Sequence, residues 1–415
     1  MRPHRRAFLK TATAPAALGA FATPGPAQAL SGYKPGDTYD VAVIGAGVFG
    51  SWTAHHLRQA GKKVLLIDEY GASNSRASSG GESRIIRMGY GGDEIYTRSS
   101  KRALELWKQF FERTGNPLFH QSGVLWLARE NDSRVSKNTE TLARVGVKFE
   151  KLSQTDLKKR FPQINFSSVE WGVYEPESGA LMARRAVEAV VHDFIHGGGH
   201  FLPEPVLAPA RAARGSSITT RSGEKISAGA FVFACGPWLP KVFPDLLGNR
   251  IFPTRQEIFF FGVPPGDRRW TPPAMPAWID VELYGIPDLE NRGFKIADDR
   301  HGPPFDPDST DRIITREQVA GMRHRLGQLF PALQDAPLVE SRVCQYENSS
   351  NGDFLVDIHP EMKNVWLVGA GSGHGFKHGP ALGEYVAAQV LGTGGKPEPR
   401  YSLATKSTVQ SRSVF

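Results

Sequence analysis

One thiol, two arginines and two lysines stand in glycine-rich or tightly patterned surroundings, and they are the side chains of this chain best suited to chemistry. Cys344, in SRVCQYENSSNGDFLVDIHP, is one of only two cysteines in 415 residues. Three readings of it are open: half of a disulfide with Cys235, an inert buried thiol, or a covalent attachment point. Arg84 and Arg87 stand three apart in SRIIRMGYG, followed by Tyr90 and flanked by glycines. An arginine pair is most often a solvated face or a salt bridge, but a planar guanidinium also grips a carboxylate through two parallel hydrogen bonds. Lys295 in RGFKIADD and Lys377 in GSGHGFKHG add two more point charges, each with a surface-lysine reading beside any functional one.

These residues need a scaffold, and its first piece is YDVAVIGAGVFGSWTAHHLRQAGKKVLLIDEYG. A short apolar strand runs into Gly45, Gly47 and Gly50, then a helix, then a second strand ending at Asp68. Gly45 permits the tight turn, Gly47 lets backbone approach a pyrophosphate, and Gly50 lets helix and strand pack closely. The helix N-terminus offers free N–H groups to phosphate, and Asp68 is placed to accept ribose hydroxyls. The pattern marks an adenosine-phosphate site without choosing between NAD and FAD.

Two later stretches return to the same sheet. AGAFVFACGPWLPKVF is strand, tight turn and helix, and KNVWLVGAGSGHGFKHGPALGEYVAAQVLG is strand, glycine-rich loop and helix, with Pro380 suited to the first turn. A sheet completed some 320 positions after it begins is more typical of two-domain FAD oxidoreductases than of a contiguous NAD domain. The expected fold is α/β: a discontinuous Rossmann-like FAD-binding domain from residues 36–115, 170–250 and 340–395. A substrate domain from 116–169 and 251–339 is expected to be an antiparallel sheet with helices outside, FPTRQEIFFFGV supplying one strand.

Composition is that of an ordinary globular protein, 40% hydrophobic and 22% charged. Residues 1–29 read as a twin-arginine export signal, with Arg5 and Arg6 before Phe8, Leu9 and Lys10, and Ala27-Gln28-Ala29 as the cleavage site. The expected location is periplasmic or secreted. Their removal takes away Arg2, Arg5, Arg6 and Lys10 and no acid, so the formal charge falls from +8 to +4. No polybasic run with interleaved aromatics points to nucleic acid, and no further segment reads as a membrane span. No metal site is expected.

The motifs GAGVFG, GGESRIIRMGYG, CGPW, LYGIP with GFKIADD, RVCQYE with DFLVDIHP, and GSGHGFKHGPALGE resemble, in order, those of the amine-oxidising flavoproteins. That family includes monomeric sarcosine oxidase, N-methyltryptophan oxidase, pipecolate oxidase and the fructosyl amino acid oxidases. The resemblance implies FAD joined covalently through Cys344 to the 8-methyl carbon of the flavin. It implies that Arg87 and Lys377 hold the substrate carboxylate, that Arg84 lies beside the flavin, and that Gly373 and Gly375 belong to the cofactor loop with Lys377. Lys295 resembles the lysine that activates O2, and Tyr284 and Tyr346 resemble the aromatic lining of the substrate cavity.

The implied activity is oxidation of a secondary amino acid's C–N bond to an imine, with O2 reduced to H2O2. Two departures stand out: Asp299 and Gly80 replace family histidines, so the substrate need not be sarcosine, and Asp299 becomes a candidate for facing a distal cation on a larger one. Two rivals remain, an FAD dehydrogenase feeding a quinone or cytochrome and a non-catalytic exported flavin- or ligand-binding protein. An NAD-dependent dehydrogenase fits the first motif only.

Overall fold

The computed structural model describes residues 32–209 and 217–411; residues 1–29, expected to be an export signal, lie outside the described residues. Thr38–Ile44, apolar on both faces, forms the central strand of a seven-stranded sheet. It pairs in parallel with Val64–Ile67 and with Lys225–Phe233, which in turn pairs with Val365–Gly369. His200–Leu202 and Leu355–Ile358 close the two ends, and Ser217–Thr219 lies antiparallel beside Lys225–Phe233. Near-continuous apolar runs are what a parallel sheet covered on both faces requires. The helix Val48–Gln59 packs against Gly379–Val390, where a Cβ on Gly379 or Gly383 would run into Val48 or Trp52.

The second sheet has eight strands: Leu338–Ser349, Ile251–Phe261, Phe294–Asp298, Leu283–Ile286, Ala277–Ile279, Val124–Ala128, Trp171–Glu175 and Glu150–Ser153, in that order. All its pairings are antiparallel except that of Ala277–Ile279 with Val124–Ala128. Trp171–Glu175 and most of Leu338–Ser349, which the sequence groups with the nucleotide segments, lie here. Both precede a passage of the chain into another sheet, to Gly179–Leu181 and to Leu355–Ile358, and strand pattern alone does not say which sheet a strand joins. One face carries Phe259, Phe261, Phe294 and Ile296, packed under the helix Arg316–Leu329 through Met322, Leu326 and Leu329. That helix starts at a capping box between Thr315 and Gln318.

The opposite face is the chemical one. Strand register sets Gln256 opposite Cys344, Thr254 opposite Tyr346, Phe260 opposite Lys295, Ile286 opposite Lys295 and Tyr284 opposite Ala297. Because successive residues alternate faces, Tyr284, Lys295, Cys344 and Tyr346 all share this side. A small three-stranded sheet of Arg84–Ile86, Gly179–Leu181 and Phe119–His120 carries Arg84.

Candidate active site

A cavity of about 490 Å³ joins the two kinds of chemistry. At one end it is lined by Gly45, Gly47 and Asp68, at the other by Arg84, Cys344 and Tyr346, with Gly373 and Gly375 also on its wall. Gly45 has φ +103°, where a side chain is strained, and its Cβ would collide with the Ala234 carbonyl. Gly50 stands off the wall, where a Cβ would strike the Gly45 carbonyl. The helix begins at Gly47 with no side-chain cap; the amide of Val48 donates to Ser79 Oγ at 3.1 Å. Asp68 accepts from the amides of Ala46 at 2.8 Å and Tyr70 at 2.9 Å, so it holds the glycine loop as well as facing the cavity. Burial pushes its carboxyl up to about 6, against those hydrogen bonds.

Two buried polar atoms on the cavity wall have no partner among the described residues, Ser78 Oγ and Glu347 Oε1. Orphaned buried polar groups are costly, and here both face a space that a polar ligand fills. The glycine turn, the uncapped helix end, these two atoms and a guanidinium beside a thiol fit a dinucleotide such as FAD along the cavity. Sequence reading missed Glu347, since a glutamate in a strand gives no warning of burial. Burial pushes its carboxyl up to about 7 from an ordinary 4.5. A carboxyl that stays neutral in the fold and ionises on unfolding makes the folded state less stable as pH rises from about 4.5 through about 7. The melting temperature of the FAD-free protein is expected to fall across that window, and Glu347→Gln to flatten the fall.

At the other end of the cavity, Arg84 Nη2 lies 3.4 Å from Cys344 Sγ and donates to the Ser78 carbonyl at 2.7 Å. A Cβ at Gly81 would meet this guanidinium, so glycine there gives it room. Both cysteines are free thiols; Cys235 lies against the Ile44 carbonyl and burial pushes it up. The disulfide reading of Cys344 is therefore not the one the structure adopts. Lys295, 1% exposed, donates to the carbonyl of Ser83 at 2.7 Å, the residue before Arg84. Burial and Arg84 hold its ammonium well below the usual lysine range.

Gly80 stands where a Cβ would collide with the Asn74 carbonyl. The turn from Asn74 closes on itself there, which accounts locally for the absence of a side chain.

The remaining candidates gather next to Tyr346. The Arg87 guanidinium lies 4.3 Å from the Tyr90 ring centre and 4.9 Å from that of Trp126, and the Lys377 ammonium 5.2 Å from Tyr90. Lys377 is off the wall of the large cavity, donating to Tyr90 Oη at 2.8 Å and the His374 carbonyl at 2.9 Å. Tyr346 donates to Asp299 at 2.8 Å, and Tyr284 sits beside Tyr346. Burial pushes the Asp299 carboxyl up, opposed by that hydrogen bond and by Arg87, Lys377 and Arg134.

Asp299 thus already faces three cations, which weakens the expectation that it awaits a cation on the substrate. Arg134 is a residue the sequence did not reveal. It opens the polar-looking helix Ser133–Val145, and only the fold swings it to within 5.5 Å of the Trp126 ring centre.

Comparison with known proteins agrees with this geometry. The family model described as FAD dependent oxidoreductase matches residues 40–389. The chain is 31% identical to the peroxisomal sarcosine oxidase of Mus musculus, over 89% of this chain and 95% of that protein. It is 30% identical to the monomeric sarcosine oxidase of Streptomyces avermitilis, over 85% and 94%. The fold matches L-proline dehydrogenase from P. horikoshii with a TM-score of 0.76 at 23% identity, covering 88% of this chain and 97% of that one. It matches a modified fructosyl peptide oxidase from Aspergillus nidulans with a TM-score of 0.79 at 20% identity, covering 90% and 96%. With that family model spanning most of the sequence and a dinucleotide cavity built to suit, the chain belongs to the DAO family of FAD-dependent oxidoreductases.

Proposed function

We propose that the protein oxidises the C–N bond of a secondary amino acid, N-alkyl or cyclic, to an imine, with O2 as electron acceptor and H2O2 as second product. The observation that carries this reading is the pair of buried cations, Arg87 and Lys377, on one tyrosine ring next to the ring end of the dinucleotide cavity. A carboxylate held by both has its α-carbon fixed, which is largely a positioning contribution. Bound FAD supplies the hydride acceptor and the path of electrons to O2. The substrate nitrogen must be neutral when it reacts, and two nearby cations favour loss of its proton by like-charge repulsion. Tyr284, Tyr346 and Asp299 close the polar side of the space, and Lys295 is the fixed cation for the anion formed from O2. The sarcosine oxidases to which the chain is similar support an amine substrate.

The test is peroxide release from a panel of N-methyl and cyclic amino acids set against the same amines lacking the carboxylate. Peroxide from the acids alone is expected. Equal turnover of the amines, or electrons passing to a quinone dye with no peroxide, contradicts the reading.

The flavin is proposed to be covalently held through Cys344, supported by the thiol's place on the cavity wall beside Arg84. Acid precipitation is expected to leave the yellow colour in the wild-type pellet and in the supernatant of Cys344→Ser. Export by the twin-arginine route, to the periplasm or outside the cell, is proposed from Arg5, Arg6 and the Ala27-Gln28-Ala29 site in the sequence.

A further inference from the structure

We propose that Tyr90, His378 and Ser99 form a proton path from Lys377 to solvent, through which the proton shed by the substrate's ammonium group leaves the site. The proposal rests on the amino acid oxidation reading above. Lys377 Nζ donates to Tyr90 Oη at 2.8 Å; that oxygen is 2.7 Å from His378 Nε2; His378 Nδ1 is 2.8 Å from Ser99 Oγ. Lys377, Tyr90 and His378 are 5%, 7% and 0% exposed, whereas Ser99, on the helix Glu94–Thr114, is partly exposed. The chain therefore begins at the carboxylate site and ends at water.

Its hydrogens have one consistent direction. An ammonium or amine Nζ donates to the tyrosine oxygen, which turns the Tyr90 hydrogen toward Nε2. The imidazole then carries its own hydrogen on Nδ1 and donates to Ser99. A side branch to His374 Nδ1 is longer, 3.3 Å, and ends at the Gly352 carbonyl, which lies 3.1 Å from His374 Nε2. Ser100 Oγ is 3.5 Å from His378 Nε2 and adds no outlet.

In one passage the Lys377 ammonium passes a proton to Tyr90 as the Tyr90 hydrogen moves to Nε2, the Nδ1 hydrogen to Ser99 and the Ser99 hydrogen to water. Nζ then takes the proton of the substrate ammonium and is again the cation the carboxylate needs. One proton crosses, no electrons move and every link ends with its original charge. Burial and Arg87 hold Lys377 well below its ordinary range, with Asp299 and Glu175 pulling the other way. Burial, Lys377, His374 and Arg87 do the same to His378. Both groups thus give up a proton more readily than an ordinary lysine or histidine does.

The test follows flavin bleaching under anaerobic mixing of the holoenzyme with a panel of N-methyl and cyclic amino acids in dilute buffer, with an indicator dye reporting released protons. Ser99→Ala is expected to slow bleaching and dye response by about tenfold, and His378→Asn by about a hundredfold. Added imidazole should restore the rate, Ser99→Thr should behave as wild type, and melting temperatures should not move. Normal bleaching and proton release in both variants would overturn the path while leaving the oxidation reading intact. Slowing that imidazole does not relieve, or that appears equally in Ser99→Thr, would also overturn it, marking a structural role. No bleaching in wild type with any member of the panel would overturn the oxidation reading, and the path with it.

Discussion

Replacing Lys295 with methionine is expected to slow the reaction of the reduced enzyme with O2 by roughly 10²–10³-fold, the usual cost of removing one preorganised charge partner. Reduction by the amino acid should change little. Transfer of the first electron to O2 creates an anion, and Lys295 is a buried point charge committed to one backbone carbonyl, that of Ser83. It lies next to Arg84, which lines the cavity and touches Cys344. The pH dependence has a definite sign. Burial and Arg84 hold the ammonium well below 10.5, so the O2 rate should fall with rising pH at a lower pH than a free lysine would give. Lys295→Met should lose that limb. Stopped-flow reoxidation of enzyme reduced beforehand checks both, and an O2 rate unchanged in the variant would leave the dehydrogenase reading ahead.

The second large effect is at Arg87. Arg87→Ala is expected to lower kcat/KM for the amino acid by roughly 10²–10⁴-fold, the loss of two charge-assisted hydrogen bonds at ~1.5–3 kcal/mol each. Arg87→Lys should recover little, because an ammonium offers neither the paired donors nor the flat face stacked over Tyr90 and Trp126. Steady-state kinetics with an amino acid and with its decarboxylated amine separates the causes. A fall for the acid alone marks carboxylate binding, and an equal fall for both marks damage to the fold around Trp126.

The cofactor end of this site was legible because its chemistry is local. Gly45, Gly47 and Gly50 do their work within a single turn, and Asp68 lies on the next strand, so spacing along the chain carries the geometry. Cys344 and Lys295 could be singled out by type, but the register that sets Gln256 opposite Cys344 and Phe260 opposite Lys295 is a long-range pairing that no local pattern encodes. The same limit hid which sheet Trp171–Glu175 would join. Glu347 and Arg134 were invisible for another reason: each is a polar residue in a segment that tolerates exposure, and burial is imposed by what packs on it. His378 belongs with them, since its partners Tyr90 and Ser99 are about 280 positions away.

The most direct measurement is a two-step spectrum on the purified holoenzyme. An N-methyl or cyclic amino acid is added without O2 and the flavin absorbance followed, then air is admitted and peroxide counted. Bleaching by the amino acid, followed by rapid return of the colour with one H2O2 per flavin, is the predicted result. A flavin that no secondary amino acid bleaches, or that bleaches but returns only when a quinone is supplied, would contradict it.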